Sequence, residues 1–95
     1  MTIDFSEVNV LLIGDFMLDH YVIGKSNRIS PEAPVPVIIP EREYSIPGGA
    51  GNVAMNLSSL GANVKCIGCV GNDDWGHKLI SILNSKNIKT DSIEI

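Results

Sequence analysis

The chain has 95 residues, with 44% apolar and 19% charged side chains and a formal charge of −4. That length allows one small domain or part of a larger one, burying only about 60–65% of its unfolded surface. The acidic balance argues against nucleic acid, no apolar run approaches the roughly 18 residues of a membrane span, and Met1-Thr2-Ile3-Asp4-Phe5 has no basic n-region followed by an apolar stretch, so a cytoplasmic protein is expected.

Val8 to Ile13 is apolar apart from Asn9 and is closed by Gly14-Asp15. A short apolar run ended by a turn signal predicts a strand buried on both faces. Asp15 and Asp19 follow at its carboxyl end, where open α/β sheets hold their ligands. Asp15 is expected to be a turn residue whose side chain bonds nearby N–H groups. Asp19 sits among Met17, Leu18 and Tyr21; for it a structural and a ligand-binding role both stand open. From Tyr21 to Ile46 the composition changes, with Pro31, Pro34, Pro36 and Pro40 as punctuation. Proline cannot donate to a sheet ladder, so two or more short strands are expected to leave the main sheet as a flap. Lys25 and Arg28 fall in its turn region, as solvated charges or as contacts to an anionic group on a ligand beneath it.

Pro47-Gly48-Gly49-Ala50-Gly51-Asn52-Val53-Ala54-Met55-Asn56 is the stretch around which the rest is arranged. Glycine lets another group come close to the backbone, and a helix start offers free N–H groups and a partial positive charge. A helix is expected over Asn52 to Leu60, with Val53, Leu57 and Leu60 on one face, Asn52 as a possible N-cap and Gly61 as the stop. Lys65 to Val70 is the second core strand. Its Cys66 and Cys69 form a C-x-x-C, but an offset of three sends the two side chains to opposite faces of a strand. With no second Cys or His pair to complete a zinc site, both are expected as buried thiols. Gly71-Asn72-Asp73-Asp74 turns, with Asp73 or Asp74 as cap. A helix follows from about Trp75 to Asn84, with Trp75, Leu79, Ile82 and Leu83 on one face. Lys86-Asn87 ends it, and Ile88 to Ile95 turns into a third strand. His20 and His77 read as isolated, and His77 as exposed. Alternating strands and helices imply an α/β fold with a mostly parallel sheet.

Gly49-x-Gly51-x-x-Ala54 matches the dinucleotide pattern, with Asp73 near the distance of the ribose contact. That pattern should directly follow a buried strand, whereas here polar residues and Pro47 precede it. A P-loop is ruled out by the lack of Gly-Lys-Ser or Gly-Lys-Thr. What remains is a helix start with the Asn52 amide, and Asp19 opposite. A carboxylate accepts from two hydroxyls and an amide both donates and accepts, which suits a polyhydroxylated ligand.

Gly14-Asp15-Phe16-Met17-Leu18-Asp19, Arg28-Ile29-Ser30-Pro31-Glu32-Ala33-Pro34-Val35-Pro36-Val37, Pro47 to Leu57, Leu60-Gly61-Ala62-Asn63 and Val70-Gly71-Asn72-Asp73-Asp74 together resemble the ribokinase-like sugar kinases. The Arg28–Val37 string is similar to the heptose-7-phosphate kinases of ADP-heptose synthesis, a step toward the lipopolysaccharide core. The resemblance implies that Asp19, Gly48, Gly49 and Asn52 bind sugar, although many relatives have one more residue between Gly-Gly and Asn. It implies that about 21–46 is a β-lid that often pairs subunits as a homodimer. The implied reaction is phosphorylation of the anomeric hydroxyl of D-glycero-D-manno-heptose 7-phosphate with ATP and Mg²⁺. Lys25 and Arg28 are then candidates for the 7-phosphate, on charge and position. The family's Gly-Ala-Gly-Asp motif, which carries the general base, has no counterpart in these residues. The expectation is therefore an N-terminal portion of a kinase, without the ATP-binding half and inactive alone. Alternatives are a kinase of another sugar or nucleoside, a sugar-binding or dimerisation module without chemistry, and a dinucleotide-binding oxidoreductase.

Overall fold

A computed structural model describes residues 3–95. Its elements run β1 (Asn9–Ile13), β2 (Phe16–Ile29), β3 (Pro36–Gly49), α1 (Ala50–Ser59), β4 (Asn63–Cys69), α2 (Asp74–Ser85) and β5 (Lys89–Glu94). β1, β4 and β5 form a three-stranded sheet in the order β1-β4-β5, both pairs parallel, and β2 and β3 form a separate antiparallel sheet.

One core serves both helices and the parallel sheet. Ala54 of α1, Val64 and Cys66 of β4, Leu79 and Leu83 of α2, and Ile88 and Ile93 around β5 are buried together, with Phe16 closing the end. Parallel sheets are ordinarily covered on both faces. Here β1 alternates half-buried Val10 and Leu12 with exposed Leu11 and Ile13, so the expectation of a strand buried on both faces is corrected to one face. Both helices share the core with the inward residues, and the described residues lay nothing over the outer ones.

The helix ends follow their sequence signals. Gly61 at φ 96° and Asn87 at φ 60° each take the left-handed position after a helix. In both cases two N–H groups reach back to the last turn: Gly61 to Ser58 and Ala62 to Leu57, then Asn87 to Asn84 and Ile88 to Leu83. This satisfies carbonyls the helix leaves open. At the start of α2, Asp73 accepts from the Gly76 N–H at 2.7 Å. Replacing a side-chain cap with alanine costs about 0.5–2 kcal/mol, so Asp73→Ala is expected to lower the unfolding free energy, read from urea denaturation, by that amount.

Apolar spacing placed Leu79 and Leu83 of α2 correctly but missed the buried face of α1. In α1 the buried positions are Gly51 and Ala54, while Val53 and Leu60 are exposed. Small residues win because α1 lies close against the base of β3; a Cβ on Gly51 would stand 3.1 Å from Pro47 Cβ. In α2, Gly76, Leu79 and Leu83 are buried and Trp75 is exposed.

β2 and β3 make one long ribbon rather than several short strands. Each strand has 14 residues, which at about 3.4 Å per residue spans about 45 Å. The ribbon begins at Phe16 and returns to Gly49, so it is longer at its base than the expected 21–46. The radius of gyration, 17.6 Å, exceeds the roughly 12 Å of a compact domain this size, because the ribbon projects from the body. Its prolines sit where a missing N–H is tolerated. Pro36 opens β3, and Pro40 lies at the register shift opposite Gly24. At the tip, Ser30 N–H donates to the Val35 carbonyl at 2.8 Å.

Candidate functional site

The ribbon returns to the body beside the loop after β1, and that junction gathers the glycine stretch with Asp19. In the register, Phe16 faces Gly49, Met17 faces Gly48 and Asp19 faces Ile46. Alternation along β2 puts Met17, Asp19 and Tyr21 on one face and Leu18 and His20 on the other. The Asp19 carboxylate lies directly over Gly48: a Cβ on Gly48 would overlap Oδ2. Gly48 is buried, whereas the Asp19 side chain above it is exposed. The carboxylate occupies the room that any larger residue at position 48 would fill.

Gly49 makes the turn from ribbon to helix, at φ 55° and ψ −132°. A Cβ there would lie 2.6 Å from the Asp15 carbonyl oxygen. That oxygen accepts from the Ala50 N–H at 2.8 Å. Asp15 therefore serves the turn through its carbonyl and not through its side chain, which has no hydrogen bond among the described residues. Asn52, expected at the cap, stands instead inside the first turn of α1. The cap position belongs to Gly49, and no side chain caps the helix. Asn52 is exposed, and its amide is not spent on capping. The first turn, including Gly51 and Asn52, has N–H groups without partners inside the helix, and no acidic side chain sits there. Asp19, Gly48, Gly49 and Asn52 are thus brought to the ribbon–helix junction.

Lys25 and Arg28 are not. They lie further out on β2, about 20 and 30 Å from Asp19 at the strand's rise per residue. Lys25 Nζ is 3.7 Å from Glu41 Oε1, with both side chains exposed; such pairs contribute little. Arg28 is exposed opposite Val37.

One further expectation changes. Cys66 is buried, and burial pushes its thiol up from the ordinary range. Cys69 is exposed, because the three-residue offset turns it to the uncovered face of the sheet. The dinucleotide pattern lacks its context. A strand of the antiparallel ribbon precedes it, and the Asp73 carboxylate is engaged as the cap of α2.

Residues the sequence left unassigned fill the other side of the junction. A cleft of about 470 Å³ is lined by Phe16, Leu18, His20, Asp73, Trp75 and Leu79, among others. His20 is not isolated. Its Nδ1 is 2.8 Å from Ser45 Oγ, its Nε2 is 3.8 Å from Glu43, and its ring centroid is 4.8 Å from that of Trp75. The signal that could have found it is Phe16 to Ile23, apolar apart from Asp19 and His20, which continues as a strand before the first proline. His77 is exposed, as expected, near Asn72 Oδ1 at 3.2 Å.

The Bifunctional protein HldE of Proteus mirabilis is 48% identical over 92 residues, covering 97% of this chain and 19% of that protein. The chain thus spans about a fifth of the length of this curated relative. Among solved structures, a fructokinase from Halothermothrix orenii superposes with a TM-score of 0.64 at 28% identity, over 92% of this chain and 29% of that one. A sugar kinase from Pyrococcus horikoshii in complex with ATP does so with a TM-score of 0.61 at 32% identity, over 88% of this chain and 25% of that one. The fold is a fragment of the ribokinase-like α/β architecture, as the resemblance implied. With residues 8–95 matched by the profile of the pfkB family of carbohydrate kinases, the chain belongs to that family.

Proposed function

We propose that this chain forms the acceptor-binding part of an ATP-dependent sugar kinase, with D-glycero-D-manno-heptose 7-phosphate as the acceptor. The observation that carries the reading is the Asp19 carboxylate laid over Gly48 beside an uncapped helix start. A carboxylate there can accept from two vicinal hydroxyls, while the Asn52 amide and the first-turn N–H groups donate to a third oxygen. Sites of this kind reject analogues that lack a hydroxyl, because polar groups covered by the bound sugar then lose partners. The heptose assignment draws support from the likeness to HldE and from the Arg28–Val37 string.

Phosphoryl transfer depends chiefly on positioning and on charge stabilisation around the γ-phosphate. This chain's contribution is to orient the anomeric hydroxyl. Among the described residues, no three His, Cys, Asp or Glu side chains gather as metal ligands. The ribbon is the lid of this reading. It exposes Tyr21, Ile23, Ile39 and Ile46, and an isolated two-stranded ribbon is marginally stable in water; a second copy packed on it as a homodimer would bury these side chains. Lys25 and Arg28 stand far enough out to meet a sugar phosphate only when the ribbon closes or reaches the neighbouring copy.

Asp19→Asn tests the site. The exposed carboxylate carries little of the fold, so the urea midpoint is expected to stay unchanged. Hydrogen bonds to a charged group contribute about 1.5–3 kcal/mol each, so affinity for the heptose phosphate, read by calorimetry, should fall at least about tenfold. Loss of the fold in this variant would return Asp19 to a structural role. Tighter binding of ribose than of heptose phosphate would favour another sugar.

A further inference from the structure

The face of the ribbon behind Asp19 is pinned to α2 by a small polar and aromatic cluster. His20 and Ser45 are direct cross-strand partners. His20 Nδ1 and Ser45 Oγ stand 2.8 Å apart, and Lys78 Nζ of α2 reaches the same Oγ at 3.4 Å. Trp75, one turn before Lys78, packs its ring against His20 with centroids 4.8 Å apart and planes tilted by 49°. Lys78 Nζ covers the Trp75 ring at 5.8 Å from its centroid. Glu43 flanks His20 Nε2 at 3.8 Å. Ser45 Oγ is therefore a hub between the ribbon and α2, and Trp75 lies between His20 and Lys78. Below this cluster, among the described residues, Phe16 is buried in the core and Leu18 packs against it.

We propose that His20, acting through Ser45, Trp75 and Lys78, is the positioning residue that sets the base of the ribbon on α2 and thereby holds the Asp19 carboxylate over Gly48. Strand alternation makes the coupling direct. Asp19 and His20 are neighbours whose side chains leave opposite faces of β2, so the contact that fixes the rotation of one fixes the aim of the other. Ser45 lies two residues before Pro47 and three before Gly48, which extends the same control to the glycine half of the site. The functional consequence rests on the reading of Asp19 and Gly48 as sugar contacts; the anchoring does not.

The test compares the 95-residue chain with His20→Ala and His20→Asn. Amide hydrogen exchange is read residue by residue. The emission of Trp75, the chain's one tryptophan, reports its contact with the ribbon, and titration with D-glycero-D-manno-heptose 7-phosphate reads the acceptor site. His20→Ala is expected to speed exchange about tenfold at Met17–Tyr21 and Tyr44–Gly48, to shift Trp75 emission to the red and to weaken the sugar phosphate about tenfold. Exchange at Val64–Ile67 and Leu79–Leu83 should not change. Asparagine retains a hydrogen-bonding group near the Nδ1 position, so His20→Asn should restore slow exchange and affinity while leaving the red shift. Acceleration spread evenly over sheet and helices, no change at the ribbon base, or a wild-type chain already unprotected there would each overturn the proposal. The expected exchange pattern in a chain that does not bind the heptose phosphate would uphold the anchoring and overturn the sugar reading alone.

Discussion

Gly48→Ala is expected to abolish acceptor binding while leaving the chain folded. A methyl group at position 48 takes the space of Asp19 Oδ2. The atoms displaced are the ends of a rotatable side chain, and they have open solvent to swing into, so the backbone need not move. The carboxylate then no longer meets two hydroxyls from its present position. At about 1.5 kcal/mol or more for each bond to a charged group, the loss is about 3 kcal/mol, which is at least a hundredfold in affinity. Calorimetric titration with the heptose phosphate reads that loss, and the urea midpoint should shift by less than about 1 kcal/mol equivalent. A variant that binds normally would show that Asp19 does not need its present seat.

Gly49→Ala is expected to do the opposite, unfolding the ribbon–helix junction and much of the chain with it. Here the conflict is with backbone. At φ 55° an L side chain is strained by about 1–2 kcal/mol. Its Cβ would press on the Asp15 carbonyl at 2.6 Å, and overpacking adds about 1–3 kcal/mol. Asp15 would have to withdraw, and the Ala50 N–H would lose its acceptor. The sum, about 2–5 kcal/mol, is a large share of the roughly 5–10 kcal/mol that holds a domain of this size together. Urea denaturation followed by far-ultraviolet circular dichroism measures it. Adjacent glycines thus serve different ends, one leaving room for a functional group and the other making a turn.

Several features were legible because their causes are local. Asp73 caps α2, Gly61 and Asn87 end the two helices, and the apolar runs at β1 and β4 pair as parallel strands. Each rests on backbone chemistry within a few residues. The family was legible as well, since the strings at 28–37 and 47–57 are specific to it. The faces of the helices were less so. Val53, Leu57 and Leu60 have helical spacing, but the close approach of α1 to β3 selected Gly51 and Ala54 instead. Trp75 followed the same periodicity and was drawn out of the core to the His20 ring. The prolines mark only the outer part of the ribbon, from Tyr21 on. Its base at Phe16–His20 carries no local break and shows itself only through pairing with β3.

By itself the sequence determined the order of elements, the places where helices stop, and the presence of Asp19 and a glycine-rich helix start in one chain. It did so because those properties depend on spacing and on the backbone freedom of single residues. Only the tertiary structure decided that Asp19 lies on Gly48, that Asn52 is inside the helix and not at its cap, that Cys69 and the outer face of β1 are uncovered, and that His20 meets Ser45 and Trp75. Those facts depend on which residues far apart in the chain are paired across the ribbon and packed on the helices, and no spacing within a segment encodes that.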